Sequence, residues 1–310
     1  MSTAIQTHAI AAPLGIDLYA RFALAGAISC SFTHVIFTPV DVVKTRIQLD
    51  PYTYNKGMVA SFRQVVRSEG VGALMTGAGP TLAGYFVQGG LKFGGYEFWK
   101  KTLINYVGPE NAVNNRTSIY LIASGIAEFF ADVALCPLEA TRIRLVSQPT
   151  FATGLVSGFN RILREEGAIR GLYSGFGPIV FKQVPYSMSK FVVFEHVSEA
   201  IINAIGAKEN LSAGAVTTVN LAAGLIAGMA SAVVSHPADT LLSKVNKTSG
   251  TGSIMFRLAD QARELGVRGL FLGLGPRVAM VGTLASLQFA IYGDIKKALG
   301  ATGGFEIKKA

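Results

Sequence analysis

The sequence PVDVVKTR at residues 39–46 returns twice in varied form, as PLEATRIR at 137–144 and as PADTLLSK at 237–244. Its three prolines stand 98 and 100 residues apart, and each one ends a long apolar run. A second marker recurs in the same phase, as GAGP at 77–80, GFGP at 175–178 and GLGP at 273–276. Repetition at a fixed period indicates several copies of one folding unit. The chain therefore contains three copies.

Half of the 310 residues are apolar, 15% are charged and the mean hydropathy is +0.40, a balance typical of membrane proteins. Six weakly charged segments approach the roughly 20 residues that a helix needs to cross a bilayer core. They lie at residues 18–38, 80–99, 118–135, 178–194, 216–234 and 278–292. We therefore predict an all-α membrane protein with six transmembrane helices and both termini on one side.

Each copy is predicted to contain a long helix kinked at its proline (Pro39, Pro137 or Pro237), a short amphipathic helix, a Gly-Pro turn and a second spanning helix. The short helices, which should lie along a membrane surface, are predicted at residues 56–69, 153–166 and 253–265. The predicted boundaries are a tail at 1–17, repeats at 18–110, 111–210 and 211–300, and a tail at 301–310.

The net charge of +9 comes from Lys and Arg residues spread between the spans and along helix faces. We attribute this charge to contact with lipid headgroups and to an interior that attracts anions, and not to nucleic-acid binding. Cys30 and Cys136 lie in separate apolar runs, so no disulfide, metal site or cofactor is predicted. The first eighteen residues show no cleavable signal pattern, so import into an organelle would depend on internal sequence.

Charged residues follow each repeated proline at fixed offsets. An acid stands two positions after it, as Asp41, Glu139 and Asp239, and a base follows three positions later in the first two copies, as Lys44 and Arg142. Acid and base three residues apart lie on one helix face. Three such helices around a common axis would form a ring of breakable ion pairs, which predicts a gate.

This pattern resembles the repeated signature of the mitochondrial carrier family, and the resemblance covers almost the whole chain. It implies a six-helix, pseudo-threefold bundle in the mitochondrial inner membrane that works by alternating access. The termini are then expected to face the intermembrane space and the short helices the matrix. The resemblance also implies that the protein is a transporter and not an enzyme, and that it acts as a monomer.

The resemblance further implies which ion pairs close each end. The matrix gate would contain two pairs and a bracing glutamine, namely Asp41–Arg142, Asp239–Lys44 and Gln48. Leu242 stands where the third base belongs, which leaves Glu139 without its expected partner. The family's second pattern appears as YEFWK at 96–100, FEHVS at 194–198 and YGDIK at 292–296. Only Glu195 and Lys296 remain there as a pair, so a weak cytoplasmic gate is expected.

Departures from the threefold pattern indicate the residues that handle the substrate. Nine positions before the repeated proline stand Cys30, Glu128 and Gly228, so only the second copy places a carboxylate there. A carboxylate in mid-membrane costs about 2.5–3.5 kcal/mol on insertion scales and is usually functional. The residues predicted to take part in proton coupling are Glu128, His34, Asp132 and Glu139. An imidazole in this set titrates near neutrality, as a proton path requires.

A second set of departures offers cations and hydrogen-bond donors. It comprises Lys92, Lys190, Lys182, Gln88, Tyr85 and Tyr186 on the second and fourth spans. Lysines with such donors in a cavity of low dielectric suit a small oxyanion. Segments such as FGGYE at 93–97 and FKQVPYSMSKF at 181–191 resemble the phosphate-transporting members of the family. That resemblance implies import of inorganic phosphate with a proton, or in exchange for hydroxide.

Two alternatives stay open. Another small ligand, either a different oxyanion or a copper ion, is conceivable because Cys30 and His34 stand one helical turn apart and the family has copper-transporting relatives. A membrane receptor or scaffold without turnover is the alternative from another class, although retained gates argue against it. Partners expected beside the substrate are inner-membrane lipids, with cardiolipin at the short helices. No nucleophile-base-oxyanion constellation supports an enzyme.

Overall fold

The computed structural model describes residues 15–49, 52–54, 57–148, 150–205, 212–245, 254–271 and 273–301. This part of the chain is helical and contains no strand. Its α-helices are α1 (Ile16–Leu49), α2 (Met58–Glu69), α3 (Ala78–Val107), α4 (Pro109–Asn114), α5 (Arg116–Ser147), α6 (Leu155–Glu165), α7 (Phe176–Ile205), α8 (Ala213–Val245), α9 (Ile254–Leu270) and α10 (Leu274–Ala298). A 3₁₀ turn at Val71–Met75 and a π turn at Ala168–Leu172 complete them.

The helices form three units of the same plan, each with a long helix, a short helix and a second long helix. These units are α1–α3, α5–α7 and α8–α10, with α4 as an extra turn between the first two. The predicted all-α, three-repeat architecture is therefore confirmed. The short helices begin and end close to the predicted limits, and α9 bends at Gly266, whose φ is 59°.

Four of the long helices, α1, α5, α8 and α10, are long and apolar enough to cross a membrane among the residues that the structure describes. α3 and α7 are also 30 residues long. They do not meet the same criterion of hydropathy and charge, because they carry charged residues such as Lys92, Lys100 and Lys190 along their length. Their buried charges show that these helices contribute to a polar interior and not only to a lipid-facing surface.

The six long helices form a closed ring. Each one packs against the next, in the order α1, α3, α5, α7, α8 and α10, and α10 returns to α1. Glycines bring neighbours close: a Cβ on Gly26 of α1 would come within 2.5 Å of the backbone oxygen of Gly89 on α3. Gly224 and Gly228 of α8 meet α10 in the same manner. The small-residue faces therefore pack helices inside this bundle.

The repeated motifs divide the bundle into two ends. Pro39, Pro137 and Pro237 lie inside α1, α5 and α8, each of which continues as a helix beyond its proline. We call the end that carries Asp41, Glu139 and Asp239 the proline end. The opposite end, which carries the YEFWK, FEHVS and YGDIK motifs, is called the aromatic end.

Candidate substrate-binding cavity

A cavity of about 160 Å³ lies inside the ring. That volume equals about five waters at ~30 Å³ each, which is enough for a tetrahedral oxyanion of five heavy atoms. Ten of the predicted site residues line it: His34, Asp41, Lys44, Tyr85, Gln88, Lys92, Lys182, Tyr186, Lys190 and Asp239. The side chain of Lys92 is 5% exposed, whereas those of Lys182 and Asp239 are 38% and 25% exposed. The cavity therefore faces the proline end.

Glu128 contacts two residues that line this cavity, Lys92 and Gln88, and is completely buried. Its carboxylate receives three donors: Lys92 Nζ at 2.9 Å, Gln88 Nε2 at 3.0 Å and Ser187 Oγ at 2.6 Å. A buried carboxylate is tolerated only when it is paired and hydrogen-bonded, and this one is both. The predicted anion ligand Lys92 is thus already held by a carboxylate of the protein.

Asp132 follows Glu128 by one helical turn on α5 and is also fully buried. Gln88 Nε2 reaches Asp132 Oδ1 at 3.3 Å, so one amide group serves two carboxyl groups. Asp132 Oδ2 makes no hydrogen bond within the described part of the chain.

Lys190 is bound differently from Lys92, although both are buried. Its Nζ donates to Gln288 Oε1 at 2.9 Å, and Gln288 Nε2 lies 2.8 Å from Cys30 Sγ. The ring of Tyr186 lies 5.1 Å from the same Nζ. Among the residues that the structure describes, no carboxylate lies within ion-pair distance of Lys190. Lys190 therefore donates to a neutral amide, whereas Lys92 donates to a carboxylate.

His34 lies on the α1 side of the cavity. Its ring stacks on Tyr85 with 3.5 Å between ring centroids, and its Nδ1 lies 2.9 Å from the backbone oxygen of Cys30. Because a carbonyl can only accept, Nδ1 carries the proton in this arrangement. The imidazole and the Cys30 thiol, which the copper alternative requires, thus make separate contacts.

At the proline end the ion pairs differ in part from the prediction. The Asp41–Arg142 pair is present at 3.2 Å, but Glu139 does not lack a partner, because the same guanidinium binds it at 3.0 Å. The two carboxylates therefore share one arginine. Three residues separate Glu139 from Arg142 on one helix, which places them side by side.

The predicted Asp239–Lys44 ion pair is not formed in the described part of the structure. Asp239 pairs with Arg277 of α10 and lies 3.9 Å from Lys182 of α7. Arg277 lies in the first turn of α10. Its guanidinium contacts Asp239 and donates to Ser235 Oγ at 2.9 Å. Lys44 lines the cavity without a salt bridge in the described structure. The side chain of Gln48, the predicted brace, lies outside the described residues.

The aromatic end also differs from the prediction of one Glu195–Lys296 pair. Lys100, which is 1% exposed, binds Glu97 at 2.9 Å and Glu195 at 3.4 Å. Tyr96 donates to the same Glu195 oxygen at 3.1 Å. Lys296 instead lies over the rings of Phe22 and Tyr292. Lys100 binds Glu195 in place of Lys296 because its side chain is buried beside Glu195, whereas Lys296 lies in the last turn of α10.

Three residues important to this geometry were not predicted: Lys100, Ser187 and Arg277. Comparison of the repeats contains a signal for each of them. Arg277 stands one position after the Gly-Pro turn, where the other copies have Thr81 and Ile179. Lys100 occupies the base position of the YEFWK motif, but no partner was predicted for it. Ser187 stands nine positions after the Gly-Pro proline, where the other copies have Gly89 and Ala285.

Comparisons with known proteins agree with the three-repeat fold. The sequence profile described as "Mitochondrial carrier protein" matches residues 18–107, 114–204 and 215–302, one match for each structural unit. The chain belongs to the mitochondrial carrier family. It is accordingly a transporter and not an enzyme, and a multi-pass protein of the mitochondrial inner membrane.

Several relatives of this mitochondrial carrier are similar over nearly its whole length. "Mitochondrial substrate carrier family protein N" of Dictyostelium discoideum is 47% identical over 94% of this chain and 99% of its own length. "Mitochondrial phosphate carrier protein 2, mitochondrial" of Arabidopsis thaliana is 41% identical over 92% of this chain and 78% of its own. "Solute carrier family 25 member 3" of Homo sapiens is 41% identical over 88% and 74%.

Proposed function

We propose that this mitochondrial carrier moves inorganic phosphate together with a proton into the matrix. Relatives 41% identical over most of the chain are named phosphate carriers, and the cavity has the size and the buried cations that a small oxyanion needs. The ion pair between Lys92 and Glu128 is the observation that carries the proton part of the proposal.

The Lys92–Glu128 pair links anion binding to proton binding. While Glu128 is ionised it holds Lys92 at 2.9 Å, so the lysine is not available to a substrate. A proton on Glu128 removes the charge that holds Lys92, which then turns to the anion beside Lys190. Each ligand favours the binding of the other, because both act on one ion pair.

Charge balance supports the same pairing of ligands. With Glu128 ionised, the group of Lys92, Lys190 and Glu128 carries one net positive charge. A dihydrogen phosphate anion and one proton add no net charge to it, so the empty and loaded sites are electrostatically alike. A site that keeps its charge can cross between conformations without a change in desolvation cost. Proton symport and hydroxide exchange give the same balance.

The remaining predicted residues take defined places in this proposal. Tyr85 and Tyr186 assist the anion from the cavity wall, and Gln88 changes from Glu128 to the anion when the carboxyl is protonated. His34, Asp132 and Glu139 are proposed to pass the proton along the α1 and α5 side of the cavity. Lys182, beside Asp239 at the cavity opening, meets the anion first on that side.

Alternating access would use the two ends in turn. The proline end is proposed to face the matrix and both termini the intermembrane space. The binding of phosphate and a proton in the cavity then offsets the free-energy cost of breaking the ion pairs of Arg142, Arg277 and Lys100. The carrier is proposed to act as a monomer, with cardiolipin beside the short helices, where Arg144 and Glu166 line a surface groove.

The test is transport by purified protein in liposomes. Phosphate uptake driven by an imposed pH gradient is expected, with none for ADP, citrate or copper. Glu128→Gln should abolish the dependence on the pH gradient because a neutral amide cannot exchange a proton. Glu165→Gln, which alters an exposed carboxylate paired with Arg161 on α6, is the matched control and should transport normally. Active vesicles that take up copper or ADP but no phosphate would overturn the proposal.

A further inference from the structure

Ser187 occupies a contact that the three repeats share. It stands nine positions after the Gly-Pro proline, where the other copies have Gly89 and Ala285. Glu128 stands nine positions before the other repeated proline, where the other copies have Cys30 and Gly228. The structure places these positions against each other in every unit, as the pairs Cys30 with Gly89, Glu128 with Ser187, and Gly228 with Ala285.

In the first and third repeats this contact is plain close packing. A Cβ on Gly89 would lie 2.6 Å from Cys30 Cβ, and a Cβ on Gly228 would lie 2.7 Å from Ala285 Cβ. In the second repeat the same contact is a hydrogen bond, with Ser187 Oγ donating to Glu128 Oε2 at 2.6 Å. Both side chains are completely buried. A packing position has thus acquired a donor directed at the carboxylate.

From this geometry we infer that Ser187 is a positioning residue that sets the pH at which Glu128 takes up its proton. The physiological meaning of this inference rests on the proposed function, whereas its test does not depend on what is transported. A hydroxyl is both a donor and an acceptor. Ser187 donates to the ionised carboxylate, and after protonation it can turn and accept from the carboxylic hydroxyl. It therefore satisfies the buried group in both states without moving the helices.

Several titratable groups surround Glu128, and the hydrogen bond from Ser187 has an effect distinct from theirs. The titratable groups that face Glu128 are Lys92 on α3, Asp132 on α5, Cys30 on α1, and Tyr186 and Lys190 on α7. Lys92 departs when the anion binds in the proposed cycle. Ser187 then remains as a donor on Oε2 that the substrate does not compete for.

The sign of the effect follows from what the hydroxyl stabilises. A hydrogen bond donated to a carboxylate favours its charged form, so removal of the donor favours the protonated form. Ser187→Ala should raise the pH of half-protonation of Glu128 by about one unit, a tenfold change in the ratio of the two forms. Alanine fits this position, because Ala285 occupies its equivalent in the third repeat.

The decisive measurement is infrared titration of the Glu128 carboxyl in lipid vesicles, identified by subtracting the spectrum of Glu128→Gln. Ser187→Ala should titrate about one unit higher than the wild type, and Ser187→Thr, which keeps the hydroxyl, should titrate close to it. Ser124→Ala removes another fully buried hydroxyl of the same repeat, one that bonds only backbone oxygens, and should leave the midpoint unchanged.

Phosphate uptake in the same vesicles separates the two proposals. The pH of half-maximal uptake should move upward in Ser187→Ala in parallel with the infrared midpoint. An unchanged infrared midpoint in Ser187→Ala, or an equal rise in Ser124→Ala, overturns the role of Ser187 whatever is transported. If Ser187→Ala shows the infrared shift but the wild type takes up no phosphate, the transport proposal is overturned and the role of Ser187 is supported.

Discussion

The two ends of the bundle are closed by different physical means. At the aromatic end, Lys100 is nearly inaccessible and lies under the rings of Tyr96 and Tyr120, among a cluster of buried aromatic side chains. At the proline end, the side chains of Asp41 and Asp239 are 26% and 25% exposed, and the cavity reaches them. The aromatic end is sealed by apolar burial around Lys100, whereas the proline end consists of partly exposed ion pairs.

This difference predicts unequal costs of breaking the two ends. An ion pair exposed to water contributes little, with a median of about 0–1 kcal/mol. Removal of one partner from a buried pair costs more, because the remaining charge stays desolvated. The aromatic end should therefore dominate the stability of this conformation, while the proline end should separate at small cost.

Lys100→Ala should give the largest loss of stability. It leaves the carboxylates of Glu97 and Glu195 close together without their shared cation, at an expected cost of about 3 kcal/mol. Thermal unfolding in lipid nanodiscs can be followed with a thiol-reactive dye, because Cys30 and Cys136 are both buried until the fold opens. The matched control is Lys297→Ala, an exposed lysine close to the same end. Equal effects of the two variants would contradict the comparison.

Arg142→Ala should come second. The substitution removes the one guanidinium that Asp41 and Glu139 share, but both carboxylates are partly exposed, so we expect a loss of about 2 kcal/mol at neutral pH. A deficit that comes from charge should shrink as the pH falls, because neutral carboxyl groups no longer need a cation. A deficit that is independent of pH would show that Arg142 acts through packing and not through its charge.

Arg277→Ala should have a smaller effect, of about 1 kcal/mol. Asp239 loses its nearest cation but keeps Lys182 at 3.9 Å. The double variant with Lys182→Ala should then cost more than the sum of the two single variants, because only together do they leave Asp239 without a cation. Additive costs would mean that Lys182 does not take over from Arg277.

The sequence predicts the fold and the residues around the cavity better than it predicts which of these residues form ion pairs. Three copies of a proline-acid-base motif predict three helix pairs, and departures from symmetry such as Lys92 and Lys190 line the cavity. The formation of an ion pair depends on which basic side chain lies nearest to the acid in the folded structure. Arg277 lies 38 residues from Asp239 and on another helix, so no spacing rule within one helix connects them.

Lys44→Ala should have the smallest effect and compares the family's pairing pattern directly with the observed geometry. If Asp239 is held by Arg277 and Lys182, removal of Lys44 should change stability by less than about 0.5 kcal/mol. A double-mutant cycle of Lys44→Ala with Asp239→Asn, measured by the same thermal unfolding, isolates any direct coupling between the two side chains. A coupling as large as that between Arg277 and Asp239 would mean that the ion pair implied by the family pattern forms in solution. A coupling near zero would assign the closure around Asp239 to Arg277 of α10, in the place that the family pattern gives to Lys44.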